Sequence, residues 1–201
     1  MRVVAASWIR HDVNVPAADS QGTGFGLMLW PPPTPHFAVF AVVLAAAVCD
    51  VKNRRIPNTL TFGAAGVAVV TMAALNGWAG VADAALGWIV GLALFLPVFL
   101  LGGMGAGDVK LLAAIGAWLG PSGALWVALY GALAGGVLGL VIALAKGYTL
   151  TSLRNLRDLL GFWHVAGVQP VDALTLKGGK GPRLPYALPL AAGTIITLWM
   201  M

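Results

Sequence analysis

From His36 onward the chain is a series of apolar stretches separated by short breaks, and its basic residues are concentrated in only some of those breaks. That alternation limits the fold more than any single motif. About 20 apolar residues suffice to cross a bilayer as a helix. Inside lipid, every backbone N–H and C=O of a helix is paired within the segment itself. The chain has 201 residues, 59% hydrophobic and 9% charged, whereas soluble domains carry about a quarter charged residues. An all-α, polytopic membrane protein with about six transmembrane helices is therefore expected.

The first span is expected at about His36–Cys49, lengthened to Thr34–Val51 if its ends reach the headgroups. The second is expected at Thr59–Leu75, with Asn58 as its N-cap, and the third at Ala84–Leu101, with a kink at Pro97. Gly102, Gly103, Gly105 and Gly107 then lead into a short fourth span, Val109–Leu119. A helix that short is tilted, re-entrant, or placed where water reaches its start. Gly120-Pro121-Ser122-Gly123 turns the chain into a fifth span, Ala124–Ala145, in which Gly131, Gly135, Gly136 and Gly139 offer close helix contacts. The last span begins near Leu184.

Charge placement orients these spans. Lys52, Arg54 and Arg55 lie between the first and second, and Lys110 follows the loop between the third and fourth. Lys146, Arg154, Arg157, Lys177, Lys180 and Arg183 lie between the fifth and sixth, while the turns at 76–83 and 120–123 contain neither Lys nor Arg. All ten residues fall on one side, the cytoplasmic one, with both termini outside. The net charge of +5 is explained by topology and anionic lipid, so membrane lipids and not nucleic acid are the expected partners.

Two segments depart from this pattern. Residues 1–34 form an N-terminal extension with balanced charge, two tryptophans (Trp8 and Trp30), a proline-rich end and no continuous apolar run of signal-peptide type. Residues 35–201 are the membrane domain. Within it, 146–183 is a cytoplasmic segment whose Leu150, Leu153, Leu156, Leu159, Leu160 and Trp163 recur every three or four residues. Arg154, Arg157 and Asp158 lie between them, the pattern of an amphipathic helix on the membrane surface, with His164 beside it.

The chain has no glutamate and seven aspartates. Acids at the ends of membrane helices are costly and default to a functional reading. Asp50 and Asp108 fall at cytoplasmic ends of spans and so share one compartment and one depth. Asp83 is expected to cap the third helix from outside. Lys110, two residues after Asp108, points away from it on a helix and is read as an interfacial charge. Cys49, the one cysteine, is read as a small buried helix residue, and it rules out both an intrachain disulfide and a multi-cysteine zinc site. Two carboxyls that share a proton can activate a water and hydrogen-bond an amide carbonyl, which is the chemistry of an aspartic dyad. The pattern alone equally accommodates helix-end acids paired with basic neighbours, a non-catalytic membrane module, or a proton-coupled transporter.

The motifs resemble those of the type IV prepilin peptidases, in the short form found in tight-adherence pilus systems and related to the archaeal preflagellin peptidases. The carrying segments are D-V-K-N-R-R-I-P-N from Asp50, with Ile56, Pro57 and Asn58, and G-A-G-D-V-K from Gly105 through Gly107 and Asp108 to Lys110. A third is R-L-P-Y-A-L-P-L-A-A-G at 183–193, with Pro185 and Tyr186. The resemblance covers the chain from about residue 36. It implies a GxGD aspartic membrane endopeptidase of the bacterial inner membrane, with Asp50 and Asp108 as its catalytic pair. The implied reaction removes a short basic leader from type IV pilin-like precursors at the cytoplasmic face, with no cofactor or metal. The long bifunctional members carry paired Cys-x-x-Cys motifs that accompany N-methylation; one cysteine cannot supply these, so a peptidase without methyltransferase activity is expected. Presenilin-like intramembrane aspartyl proteases share Gly-x-Gly-Asp, but pair it with Tyr-Asp and Pro-Ala-Leu. Here Asp50 follows Cys49, and Pro-Ala-Leu does not occur.

Overall fold

The structure is a computed structural model that describes residues 34–147, 149–167 and 186–200. The N-terminal extension before Thr34, Pro185, and the basic residues Lys177, Lys180 and Arg183 lie outside the described residues. Among the described residues five helices follow one another: α1 (Thr34–Asn53), α2 (Asn58–Leu100), α3 (Ala106–Ala145), α4 (Thr149–Ala166) and α5 (Ala187–Met200). Three of them, α1, α2 and α3, are long and apolar enough to cross a membrane, and α5 is a shorter apolar helix. The protein is all-α and polytopic.

α2 and α3 are too long for one straight pass. At 43 and 40 residues each would run about 60 Å or more, twice the hydrocarbon thickness of about 30 Å. Each is broken once by a glycine in a left-handed conformation, Gly77 (φ 59°) in α2 and Gly120 (φ 71°) in α3. L-residues with a Cβ rarely adopt that conformation. Pro121 opens the second half of α3, where its missing N–H leaves no intrahelical bond unmade. At the other break the chain doubles back: a Cβ on Gly80 would fall on the Met72 carbonyl.

The halves pack antiparallel with their backbones in contact. Asp83 lies against Gly120, Gly87 against Gly116, and Gly91 against Leu112. Each four-residue advance along α2 thus matches a four-residue retreat along α3. A Cβ on Gly87 would fall on the Gly116 carbonyl, and one on Gly91 would come 2.6 Å from the Leu112 carbonyl. Glycine at these positions gives the close approach that membrane helices use to associate. α5 packs the same way on the second half of α3, where Gly193 meets the Gly131 backbone. Thr194 and Thr197, both buried, return their hydroxyls to the carbonyls of Leu190 and Gly193 at 2.7 and 2.8 Å. Gly135 makes only ordinary contact with Pro189, and Gly136 meets nothing.

The first half of α3 is the hub. Leu111 and Leu112 lie about 100° apart around the helix, yet both are fully buried, as are Ala113, Ala114 and Ile115. A helix buried on all sides is a core helix.

Three sequence expectations are corrected. The uncharged turn after Leu75 is a single-residue break at Gly77, so Asp83 lies inside the following helical run and caps no helix of its own. Its carboxylate sits beside the Gly120 break of α3. Non-helical torsions inside α2 occur at Gly77 only, so Pro97, in its last turn, produces no break. Cys49 is half-buried rather than buried.

Candidate active site

Four chain segments meet at one end of the bundle. α1 ends at Asn53, and Arg54 takes a left-handed conformation (φ 50°) from which its N–H donates to the Asp50 carbonyl at 2.8 Å. That bond closes the last turn in the manner of an αL cap. Asp50 is thereby fixed in the final turn of α1, and it is 9% exposed. A carboxylate at a helix C-terminus is opposed by that helix's dipole. The compensation comes from across the bundle. Ala187, the first residue of α5, donates its N–H to Asp50 Oδ2 at 3.2 Å. The N-terminus of α5 thus supplies both a donor and a favourable dipole.

Asp108 occupies the third position of α3, after the N-cap Gly105. Its Oδ2 accepts the Gly105 N–H at 3.2 Å, which is half of a capping box, since glycine has no side chain to return the bond. Asp108 is 7% exposed. The charge of Asp50 acts on it. The two acids come from different helices, are both almost sealed from solvent, and each accepts from backbone N–H at a helix N-terminus.

The remaining motif residues surround this pair. Gly107 is flush with Ile56, where a Cβ would stand 3.2 Å from the Ile56 Cβ. Lys110 Nζ donates to Asn58 Oδ1 at 3.0 Å and lies 5.4 Å above the Phe62 ring centroid. Asn58 is therefore not the N-cap of α2. Pro57 takes that place (φ −63°, ψ 137°) and its carbonyl accepts the N–H groups of Leu60 and Thr61. The Asn58 amide is engaged by the lysine instead. Tyr186 precedes α5 and is half-buried. Burial and then the nearby Asp108 charge push its phenol above its ordinary value, so it stays a hydrogen-bond donor.

The profile of the type IV leader peptidase family matches residues 37–140, just over half of the chain and the part that holds Asp50, the Ile-Pro-Asn turn and Asp108. The chain belongs to this family. A prepilin leader peptidase/N-methyltransferase of Xanthomonas campestris pv. campestris is 56% identical over 45 residues, which is 22% of this chain and 16% of that protein. Proteins of the same name from two strains of Burkholderia pseudomallei are 39% identical over 118 residues, 52% of this chain and 36% of theirs. The chain spans little more than a third of the length of these curated relatives, or less. No solved structure matches it.

Two contributors escape motif reading. The Ala187 N–H is a backbone group without a residue-type signature. Phe62 did carry a signal: it lies four residues after Asn58, on the same face of α2.

Proposed function

We propose that this leader peptidase family member is a membrane aspartic endopeptidase that removes the short basic leader from type IV pilin-like precursors. Asp50 and Asp108 are its catalytic pair. The observation that carries the reading is the convergence of these two buried carboxyls at one end of the bundle. In the hydrolysis, one carboxylate takes a proton from a water molecule as its oxygen attacks the scissile carbonyl. The other, protonated, hydrogen-bonds the carbonyl oxygen as negative charge develops there. Collapse of the tetrahedral intermediate breaks the C–N bond, and the proton held by the first acid passes to the leaving amine.

The topology we infer has six passes: α1, the two halves of α2, the two halves of α3, and α5. The acids then lie at the end that carries Lys52, Arg54, Arg55 and Lys110, the cytoplasmic end by the positive-inside rule. The location is the bacterial inner membrane, with α4 as an amphipathic helix on its cytoplasmic surface. Exposed Leu150, Leu153 and Phe162 together with Arg154 and Arg157 support that placement of α4. A precursor whose apolar helix lies in the bilayer and whose leader stays in the cytosol presents its junction at the depth of the acids. A single cysteine in the chain supports peptidase activity without methylation.

The test is co-expression with a pilin-like precursor and its cleavage by wild type, Asp50→Asn and Asp108→Asn. Cleavage by either variant within about tenfold of the wild-type rate sinks the dyad. An intact precursor with wild type sinks the activity.

A further inference from the structure

The turn that carries Asp108 is soft by composition. Gly102, Gly103, Gly105 and Gly107 precede the acid, and Gly102 is itself left-handed at φ 77°. Glycine loses more conformational freedom on folding than any other residue, so a segment of this kind does not hold a carboxyl in register unaided. The Gly105 N–H bond to Asp108 is local to the turn and moves with it. What fixes the turn to the rest of the protein must come from another element.

Beyond the backbone bonds from the Gly102 and Gly103 N–H groups to the Phe99 and Val98 carbonyls at the end of α2, two contacts hold the acid-bearing side of the turn, and both reach the 56–62 segment. Gly107 abuts Ile56. Lys110, one turn into α3, extends its ammonium to the Asn58 side-chain carbonyl and over the Phe62 ring. Asn58 and Phe62 are four apart on α2 and so form one binding face. The lysine therefore uses its charge on a neutral amide and an aromatic face, while lying two residues from an acid. Two residues correspond to about 200° of helix rotation, which aims Lys110 and Asp108 to opposite sides of α3. A charge-assisted hydrogen bond and a cation–π contact, made together by one side chain, form a directional clamp.

We infer that Lys110 is a positioning residue, clamping the start of α3 to Asn58 and Phe62 of α2 so that the glycine-rich turn holds Asp108 toward Asp50. The inference rests on the proposed dyad reaction for its kinetic readout, and on the structure alone for its physical one. It predicts that loss of the clamp misplaces the acid without disturbing substrate binding, so that kcat falls and KM does not rise.

The experiment uses the purified full chain in detergent and a synthetic precursor peptide with a basic leader followed by an apolar segment. Lys110→Ala and Asn58→Ala each lower kcat about tenfold, with KM within about twofold. The double variant also falls about tenfold rather than a hundredfold, because both substitutions cut the same link. Lys110→Arg, which keeps the cation and its donors, recovers kcat to within about threefold. Hydrogen exchange is followed in parallel: amides of 102–110 exchange faster in Lys110→Ala and in Asn58→Ala, while those of 111–119 keep the wild-type rate. Wild-type kcat in Lys110→Ala, multiplicative losses in the double variant, or unchanged exchange across 102–110 overturns the clamp. If wild type fails to cleave the peptide, the proposed activity is lost while the exchange measurement still decides the clamp.

Discussion

The two halves of α3 are alike in hydropathy and unlike in surroundings. The half before Gly120 is buried on all sides and carries Asp108 in its first turn. The half after it has two faces. Gly123, Ala124, Val127, Ala128 and Gly131 turn inward, while Leu125, Trp126, Leu129, Leu133, Val137, Leu140 and Leu144 are exposed at helical spacing. Lipid tails are as apolar as leucine, so hydrophobicity does not distinguish a helix wrapped by protein from one that faces lipid. The difference is that protein can bring donors to an acid and lipid cannot. Asp108 accepts the Gly105 N–H at the start of its own wrapped half, and Asp50 beside it accepts the Ala187 N–H from α5.

The largest test of this contrast is removal of the acids themselves. Asp108→Asn keeps shape and most polarity and is expected to lower cleavage about a thousandfold or more, the scale of an essential acid or base. Asp50→Asn should do the same. Cleavage of a pilin-like precursor by purified enzyme measures both. A loss below about tenfold in either variant would remove it from the chemistry.

Next in size is a pair of glycine substitutions, one in each half. A Cβ on Gly116 would fall on the Gly87 carbonyl, whereas one on Gly136 meets nothing. Gly116→Ala forces two backbones apart and should cost about 1–3 kcal/mol or more. Gly136→Ala should be neutral, or stabilising by up to about 1 kcal/mol from helix propensity. Unfolding of both variants in the same detergent checks the pair. Equal stabilities would mean that the wrapped half is not packed by backbone contact.

These cases mark how far the sequence is legible. The apolar segments and the Asp50 and Gly-Ala-Gly-Asp motifs are local in sequence and readable from it. The glycine breaks were half readable: Gly120-Pro121 signals a turn by composition, whereas Asn76-Gly77 suggested a loop that is a single residue in the structure. Lost turn residues became helix, which moved Asp83 from a capping position to the Gly120 break. The shortness of the helix after Asp108 was visible, but its central position was not, because burial depends on neighbours that sequence spacing does not name. The Lys110–Asn58 bond spans 52 positions and the Ala187–Asp50 bond 137. Contacts of that range leave no periodic trace.

The second half of α3 reaches the acids through α5, and Ala187 is where that influence is testable. Tyr186 accepts the Leu190 N–H at 3.2 Å, which makes Tyr186 the N-cap and Ala187 the first helical residue, a place where proline is well tolerated. Ala187→Pro deletes the one N–H that reaches Asp50 Oδ2, and because Ala187 is fully buried it is compared with Ala187→Val, which adds bulk at the same place and keeps the N–H. A hydrogen bond to a charged group contributes about 1.5–3 kcal/mol, so kcat should fall about tenfold to a hundredfold further in Ala187→Pro than in Ala187→Val. Equal rates in the two variants would show that the α5 N-terminus only packs beside the acid.

The smallest expected effect is in alkaline stability. The Tyr186 phenol is raised above 10.0 by burial first and by the Asp108 charge second. In the unfolded chain the same phenol ionises near its ordinary value, about 10. Below that value both states hold the proton and Tyr186 adds no pH dependence. Between the unfolded and folded values the folded state binds more protons, so stability falls as pH rises through that window. Tyr186→Phe removes this effect, while the lysines and other tyrosines titrate alike in both proteins and cancel. Melting midpoints of wild type and Tyr186→Phe, followed from about pH 8 to about pH 11, should run parallel at first and then diverge, with the wild type falling faster. Parallel curves throughout would mean that the phenol is solvated in the folded protein.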